Sequence, residues 1–312
     1  MILVLRTLGI GDLCTAVPAL RALRAAHPGE EIVLAAPEWL APLVSLIGVA
    51  DRQVVVDDLK PVSWPGPAPT VAVNLHGRGP ESHRLLAAAG PGRLWAFACP
   101  EADHHDGPPW TEWEPEHEVR RWCRLLAWYG VPAEPANLDL PREPVRRLAR
   151  AHDVPTGVTI VHPGVKGFER RWPARRFAEV AAVLAADGHR VVLTGSESER
   201  TLVEAVARDA GLPDAAILAG EFDVGQLAAL VAHARLVVSS DTGVGHLATG
   251  YGVPSVVIFG PTTPEVWGPP PDRPRHRALR HPDGLGAVSV PEVLAAARGV
   301  LAAPRSRTAT AL

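Results

Sequence analysis

Short apolar runs alternate with helix-period stretches along almost the whole chain, and the pattern begins afresh near its middle. In the first half the runs are 2–5, 31–35, 53–56, 71–75 and 93–97, interleaved with helical patterns over 13–26, from 38 onward and over 81–89. The first helix is fixed by Leu13, Ala16, Val17, Leu20 and Leu23, whose spacing lays one apolar stripe along its side. A further helix carries Val119, Trp122, Leu125, Leu126 and Tyr129. The second half repeats the grammar, with runs at 158–161, 190–194, 216–218, 236–239 and 255–259 and helices over 174–186, 197–210, 224–232 and 242–251. Strands separated by helices are joined by crossovers, so they lie parallel in a sheet covered by helices on both faces. The chain is therefore expected to form two doubly wound, Rossmann-like α/β domains.

A chain of 312 residues is at the upper limit for a single hydrophobic core, which agrees with two domains. Between them, residues 131–155 are interrupted by Pro132, Pro135, Pro141, Pro144 and Pro155 and read as the connection. The expected division is residues 1–150, residues 151–290, a terminal helix over 291–303 and a frayed tail over 304–312. Loops are expected over 60–69, 100–115 and 268–274, the second of them aromatic.

The formal charge of −3, with basic and acidic residues interspersed, gives no reason to expect nucleic acid as a partner. Cys14, Cys99 and Cys123 are too far apart for a C-x-x-C metal or redox motif, and a reducing cytoplasm suits them. No apolar run reaches the length of a membrane span or of a signal-peptide core, so a cytoplasmic protein is expected, with peripheral contact at a membrane surface left open.

Chemistry concentrates where strands run into helices. Val237 to Ala248 passes from an apolar strand through Ser239, Ser240, Asp241, Thr242 and Gly243 into a helix bearing His246. Such a junction aims backbone N–H groups and the positive end of a helix dipole at one spot, where a diphosphate can be held. Lys166, Arg170 and Arg171 follow another strand end, and cations there suit a phosphorylated ligand. Glu197 and Glu199 stand after Gly195, either capping the next helix or accepting hydrogen bonds from ribose hydroxyls. Asp241 and Thr242 have an equally plain use as helix caps, and Lys166, Arg170 and Arg171 as a solvated loop.

In the first half, Gly9 and Gly11 precede Asp12, but Cys14 occupies the third position of a dinucleotide fingerprint, so NAD is not implied. Those glycines instead allow close approach of a substrate and free the carboxylate of Asp12 at the helix start, whose plain use is a helix cap. The turn Asn74, Leu75, His76, Gly77, Arg78 ends another strand and is a weaker candidate for lining the same crevice. Glu101, Asp103, His104, His105 and Asp106 have metal-ligand chemistry but lack the spacing that would fix a geometry, so no metal is assigned.

Taken in order, these segments resemble glycosyltransferase family 9, the ADP-heptose heptosyltransferases of bacterial lipopolysaccharide core assembly. The matching pieces are Gly11-Asp12 with Pro18-Ala19-Leu20, His162-Pro163-Gly164, Arg171-Trp172-Pro173, Gly195 to Glu199, and Asp241-Thr242-Gly243 with His246-Leu247-Ala248. The resemblance implies a GT-B fold, two such domains facing across a cleft, with acceptor on the first and nucleotide sugar on the second. It also implies that the terminal helix turns back towards the first domain. By the same resemblance Asp12 is the general base, Glu199 holds the ribose, and Lys166, Arg170 or Arg171 hold the phosphates. Asp241, Thr242, Gly243 and His246 meet the donor's diphosphate and sugar, while Gly11, His76 and Arg78 lie on the acceptor side. The implied activity is inverting, metal-independent transfer of a heptose or related sugar from a nucleotide diphosphate to a hydroxyl of a glycan or other acceptor, without a cofactor. Two alternatives share the phosphate site: a sugar-nucleotide epimerase or hydrolase, and a non-catalytic nucleotide-sugar-binding protein. Arg170 stands where family members often carry Lys, and the aromatic loop around Pro108 to Trp113 departs from the lipopolysaccharide enzymes.

Overall fold

The computed structural model describes residues 1–60, 64, 66–111 and 115–304. Parts of the loops expected over 60–69 and 100–115, and the tail beyond 304, lie outside those residues. By their contacts the residues divide into two units, Met1–Leu138 and Asp139 onward.

The first unit runs β1 (Ile2–Leu5), α1 (Ile10–Ala26), β2 (Ile32–Ala36), α2 (Ala41–Ile47), β3 (Arg52–Val55), β4 (Val71–Asn74), α3 (Glu81–Ala87), β5 (Arg93–Trp95) and α4 (Glu118–Trp128). Its sheet has the order β3-β2-β1-β4-β5. All its pairs are parallel, with Ile2 level with both Ile32 and Val71. β1 and β2 are buried along their whole length, which explains why they read as unbroken apolar runs rather than alternating ones. α4 lies against α1 and buries Val119, Trp122, Leu125 and Leu126. Trp110, from the described part of the aromatic loop, turns inward: it meets Phe97 edge-on at 5.0 Å, and the Arg121 guanidinium covers it at 4.3 Å.

The second unit comprises α5 (Arg142–Ala151), β6 (Thr159–His162), α6 (Ala174–Ala186), β7 (Val191–Leu193), α7 (Arg200–Asp209), α8 (Val224–Ala232), β8 (Leu236–Ser240), α9 (Gly243–Gly250), β9 (Ser255–Ile258), α10 (Pro264–Trp267), β10 (His276–Leu279) and α11 (Val290–Ala302). The sheet order is β10-β9-β8-β6-β7, again parallel throughout.

Four expectations are revised. Residues 142–151 form α5 instead of a linker, because Pro141 caps the helix and Pro144 falls in its first turn, where a missing N–H costs nothing. α5 packs on α8, and Arg142 donates to the carbonyls of Ala232 and Tyr251, so the boundary moves from 150 to Leu138. α11 contributes Val293, Leu294, Ala297 and Val300 to one core with Phe177 and Val180 of α6, which places it in the second unit's own interior. Residues 216–218 make one isolated bridge, Ile217 to Leu193, after a short helical turn, and are not a strand. The fifth strand is β10, whose polar His276 and Arg277 hid it from a hydrophobicity pattern.

His276 is buried at that edge, its Nδ1 2.8 Å from Ser255 Oγ, and burial with Arg273 and Arg275 nearby pulls its pKa down from 6.5 to about 4. A histidine depressed in the folded state binds its proton more readily when unfolded, so it contributes stability above pH 6.5 that is lost as pH falls towards 4. The unfolding free energy should therefore decline over that window. A His276→Asn variant should lose about one proton's share of the slope, on the order of 1.4 kcal/mol per pH unit. An unchanged slope in urea titrations at successive pH values would show that His276 is not the group responsible.

Cys14, Cys99 and Cys123 are unpaired and buried. Desolvation raises all three thiols, those of Cys14 and Cys123 to about 12. Among the described residues no helix is long and apolar enough to cross a membrane.

Candidate functional site

Each sheet has a place where successive connections leave in opposite directions, between β1 and β4 in the first unit and between β6 and β8 in the second. Loops diverge at such switch points and leave a crevice beyond the strand ends, where ligands of open α/β sheets bind.

In the first unit that crevice is bordered by the loop from Arg6 to Asp12 and the turn from Asn74 to Arg78. Gly9 caps α1, and its N–H donates to Asp12 Oδ2 at 3.1 Å. Asp12 is thus a capping residue in the first turn, yet its side chain keeps 27% of its surface open. The cap use is realised through one oxygen, while the rest of the carboxylate stays accessible. Arg6, which the sequence patterns did not single out, is fully buried beneath it. Its Nε donates to the Asp12 carbonyl at 2.9 Å, its Nη1 to the Leu75 carbonyl, and its Nη2 to Thr15 Oγ1 at 3.2 Å. Nη2 also stands 3.6 Å from Asp12 Oδ1.

Asn74 organises the other border. Its Oδ1 accepts the His76 N–H at 3.0 Å, while Nδ2 donates to Ser82 Oγ at 2.9 Å. His83 Nε2 faces the Phe97 carbonyl at 2.8 Å and must donate there, which leaves Nδ1 as an acceptor for Asn74 Nδ2 at 3.1 Å. His76 is half-buried, and burial first, then Arg6, lower its pKa to about 4. It is therefore neutral near pH 7, and it senses both Arg6 and Asp12. Arg78 is exposed on the same turn.

In the second unit β8 ends at Ser240, and Thr242 caps α9 by accepting the Val244 N–H at 3.2 Å. Gly245 is needed one turn on, where a Cβ would lie 2.9 Å from Val257 of β9. The helix start therefore sits directly over the strand ends. Asp241 is buried; its Oδ2 accepts Arg170 Nη2 at 2.8 Å and Thr262 Oγ1 at 2.6 Å, and its carbonyl accepts Arg170 as well, at 2.9 Å. A carboxylate so committed positions Arg170 at the crevice. Thr262, on the loop after β9, was missed by pattern reasoning; the only signal was its place past a strand end.

Lys166 and Arg171 are exposed and make no hydrogen bond or ion pair among the described residues. Trp172 between Arg171 and Pro173 is a core anchor, packed edge-on to Phe177 at 4.8 Å and donating Nε1 to the Val288 carbonyl at 3.0 Å. Glu199 accepts Ser196 N–H and Oγ at 2.8 and 2.9 Å, the capping use expected of it. Its carboxylate lies so close to Gly164 that a Cβ there would overlap it. His162, below, hydrogen-bonds Thr194 Oγ1 at 2.9 Å; burial lowers its pKa and Glu199 opposes that. Beside α9, a shallow open depression is bordered by Thr242, His246, Thr249, Phe259 and Trp267, with His246 edge-on to Trp267 at 6.0 Å.

The structure thus groups Gly11, Asp12, His76 and Arg78 around one switch point, and Arg170, Asp241, Thr242, Gly243 and His246 at the other, with Lys166, Arg171 and Glu199 on its adjoining loops. Chemically, the first crevice offers an accessible carboxylate. The second offers helix-start N–H groups and cations.

Residues 110–282 match the family model described as "Glycosyltransferase family 9 (heptosyltransferase)". A lipopolysaccharide heptosyltransferase 1 of Pseudomonas aeruginosa is 34% identical over 157 residues, which is 49% of this chain and 42% of that protein. The chain spans less than half the length of the curated relatives it matches. Among solved structures, a glycosyl transferase family 9 protein from Veillonella parvula superposes with a TM-score of 0.79 at 22% identity, covering 96% of each chain. The ADP-heptose lps heptosyltransferase II of E. coli superposes with a TM-score of 0.77 at 20% identity, covering 96% of this chain and 98% of that one. At such identities the likeness establishes the fold, the α/β GT-B class.

Proposed function

Since the chain belongs to glycosyltransferase family 9, we propose that it transfers a heptose, or a closely related sugar, from an ADP-activated donor to a hydroxyl of a lipopolysaccharide-type glycan, with inversion at the anomeric carbon. One observation carries the reading: the two switch points bear opposite chemistry. The first unit presents the open carboxylate of Asp12, and the second presents the α9 N-terminus with Arg170 held by Asp241 and with Lys166 and Arg171 nearby. Direct displacement needs a base for the incoming hydroxyl and charge stabilisation for the departing diphosphate, and those are the two things supplied.

In this mechanism Asp12 takes the acceptor's proton as its oxygen attacks the anomeric carbon, the bond from that carbon to the diphosphate oxygen breaks, and the leaving group's charge is met by α9 N–H groups and the basic side chains. No metal is assigned a part. The name of the E. coli neighbour, an ADP-heptose heptosyltransferase, supports the donor, and the name of the Pseudomonas relative supports the acceptor class. Glu199 is assigned the ribose hydroxyls, with Thr242, Gly243 and His246 at the diphosphate and sugar.

The test is ADP release from ADP-heptose, followed with and without truncated lipopolysaccharide acceptors, with the product's anomeric configuration read by NMR. Acceptor-dependent release with inverted configuration is expected. Sugar freed into water at the same rate without acceptor, or epimerised donor, would replace the transferase reading, and donor binding without turnover across the panel would end it.

Gly164 offers a second check. The substitution Gly164→Ala displaces the Glu199 carboxylate without any backbone strain. Donor KM should rise about tenfold, the equivalent of one charge-assisted hydrogen bond, with kcat within about threefold of the parent. An unchanged KM would separate Glu199 from the donor.

A further inference from the structure

We infer that Arg6 is a positioning residue, the group that fixes where and how the Asp12 carboxylate stands; the inference rests on the proposed role of Asp12 as base. Arg6 is the first residue past β1, is only 1% exposed, and is one of the largest wholly buried side chains among the described residues. A guanidinium carries five donors and remains charged in proteins, so burying one is costly unless each direction is used. Here the directions are used on separate elements. Nε reaches the Asp12 carbonyl in the first turn of α1, Nη1 the Leu75 carbonyl past the end of β4, and Nη2 Thr15 Oγ1 one turn along α1. The face of the fork lies over Trp122 of α4, 4.6 Å from the ring centroid.

The consequence is local and specific. Arg6 pins the backbone of Asp12 itself, whose side chain keeps 27% of its surface open. Nη2 at 3.6 Å from Oδ1 and Gly9 N–H at 3.1 Å from Oδ2 then restrict rotation of that carboxylate from two sides. Glu118, 4% exposed and ion-paired with Arg121, adds a negative charge that Arg6 also senses. Burial, and to a smaller extent Arg121, lower the Arg6 pKa, while Asp12 and Glu118 oppose that loss and help hold its cation. A lysine could supply the charge but not the planar fork that spreads donors over three nitrogens.

A double-mutant cycle tests this. Arg6→Gln should lower kcat about 30-fold with donor KM within about twofold, and Arg6→Lys should recover part of the loss, to within about tenfold of the parent. In the Asp12→Asn background, Arg6→Gln should cost less than about threefold, because a group that acts through Asp12 has nothing left to position. Equal, multiplicative losses in both backgrounds, or a loss expressed in donor KM, would overturn the inference. Should Arg6→Gln fail to fold by circular dichroism, the same cycle run with Arg6→Lys decides the matter: coupling between the two sites supports the inference and additivity overturns it. Full turnover by Asp12→Asn alone would instead refute the base assignment, which distinguishes the two failures.

Discussion

Asp12→Asn is expected to lower transferase turnover by about 10²–10⁴-fold, the usual contribution of a positioned base. The substitution is nearly isosteric, and an amide oxygen can still accept the Gly9 N–H that now reaches Oδ2. The backbone carbonyl that receives Arg6 Nε is untouched. Structure at the head of α1 should therefore survive, and the melting temperature should fall by no more than a few degrees, which for a chain of this size corresponds to roughly 1 kcal/mol. Donor affinity measured by calorimetry should be retained within about twofold, since the donor groups are assigned to the second unit. A variant that transfers sugar at the parental rate would remove Asp12 from the chemistry. One that loses donor binding in step with turnover would make it a binding residue instead.

Trp172→Ala is expected to destabilise the protein by about 3–5 kcal/mol, the range for truncating a fully buried large aromatic residue. Trp172 is 1% exposed and packs edge-on against Phe177 at 4.8 Å. Its Nε1 hydrogen bond to the Val288 carbonyl adds little to the loss, because Arg176 Nη1 also reaches that oxygen at 2.7 Å. The dominant part is the cavity left between the loop bearing Arg170 and Arg171 and the approach to α11. Urea unfolding should show a lowered midpoint, and Trp172→Phe should recover about half of the loss. A change below about 1 kcal/mol would mean that the loop is held by something other than this indole. The same variant should weaken donor binding, as the loop that carries the cations loses its anchor.

The parts of the fold that could be read from sequence are those governed by a single dominant period. β1, β2, β6 and β8 are buried on both faces, so their apolar residues run without alternation and the polar ones fall only at their ends, and α1 declares itself by Leu13, Val17, Leu20 and Leu23. What escaped was decided by position within an element. Pro141 and Pro144 look like breakers in a string of letters, yet at a cap and in a first turn they are harmless. β10 has too few apolar residues to register, because it is an edge strand paired only through β9.

At the site, the residues at strand ends were legible because their chemistry is conspicuous there: Asp12, Arg170, Asp241 and Thr242. Which of them face a ligand was not. Asp241 looks like a ligand group in sequence, and the geometry spends it on Arg170 and Thr262. Arg6 drew no reading from the sequence. A lone arginine after an apolar strand reads as the point where the chain surfaces, and only the carbonyls of Asp12 and Leu75 converging from two other segments reveal that it turns inward.

All three thiols of the chain lie in the first unit, sealed and poorly ionised. Alkylating reagents should meet them only when that half transiently opens, so the rate of labelling under native conditions becomes a private gauge of one half of the molecule. With Cys14 two residues from Asp12, a mass spectrometer reading the tagged peptides could time the breathing of the α1 head apart from that of α4, without any engineered probe.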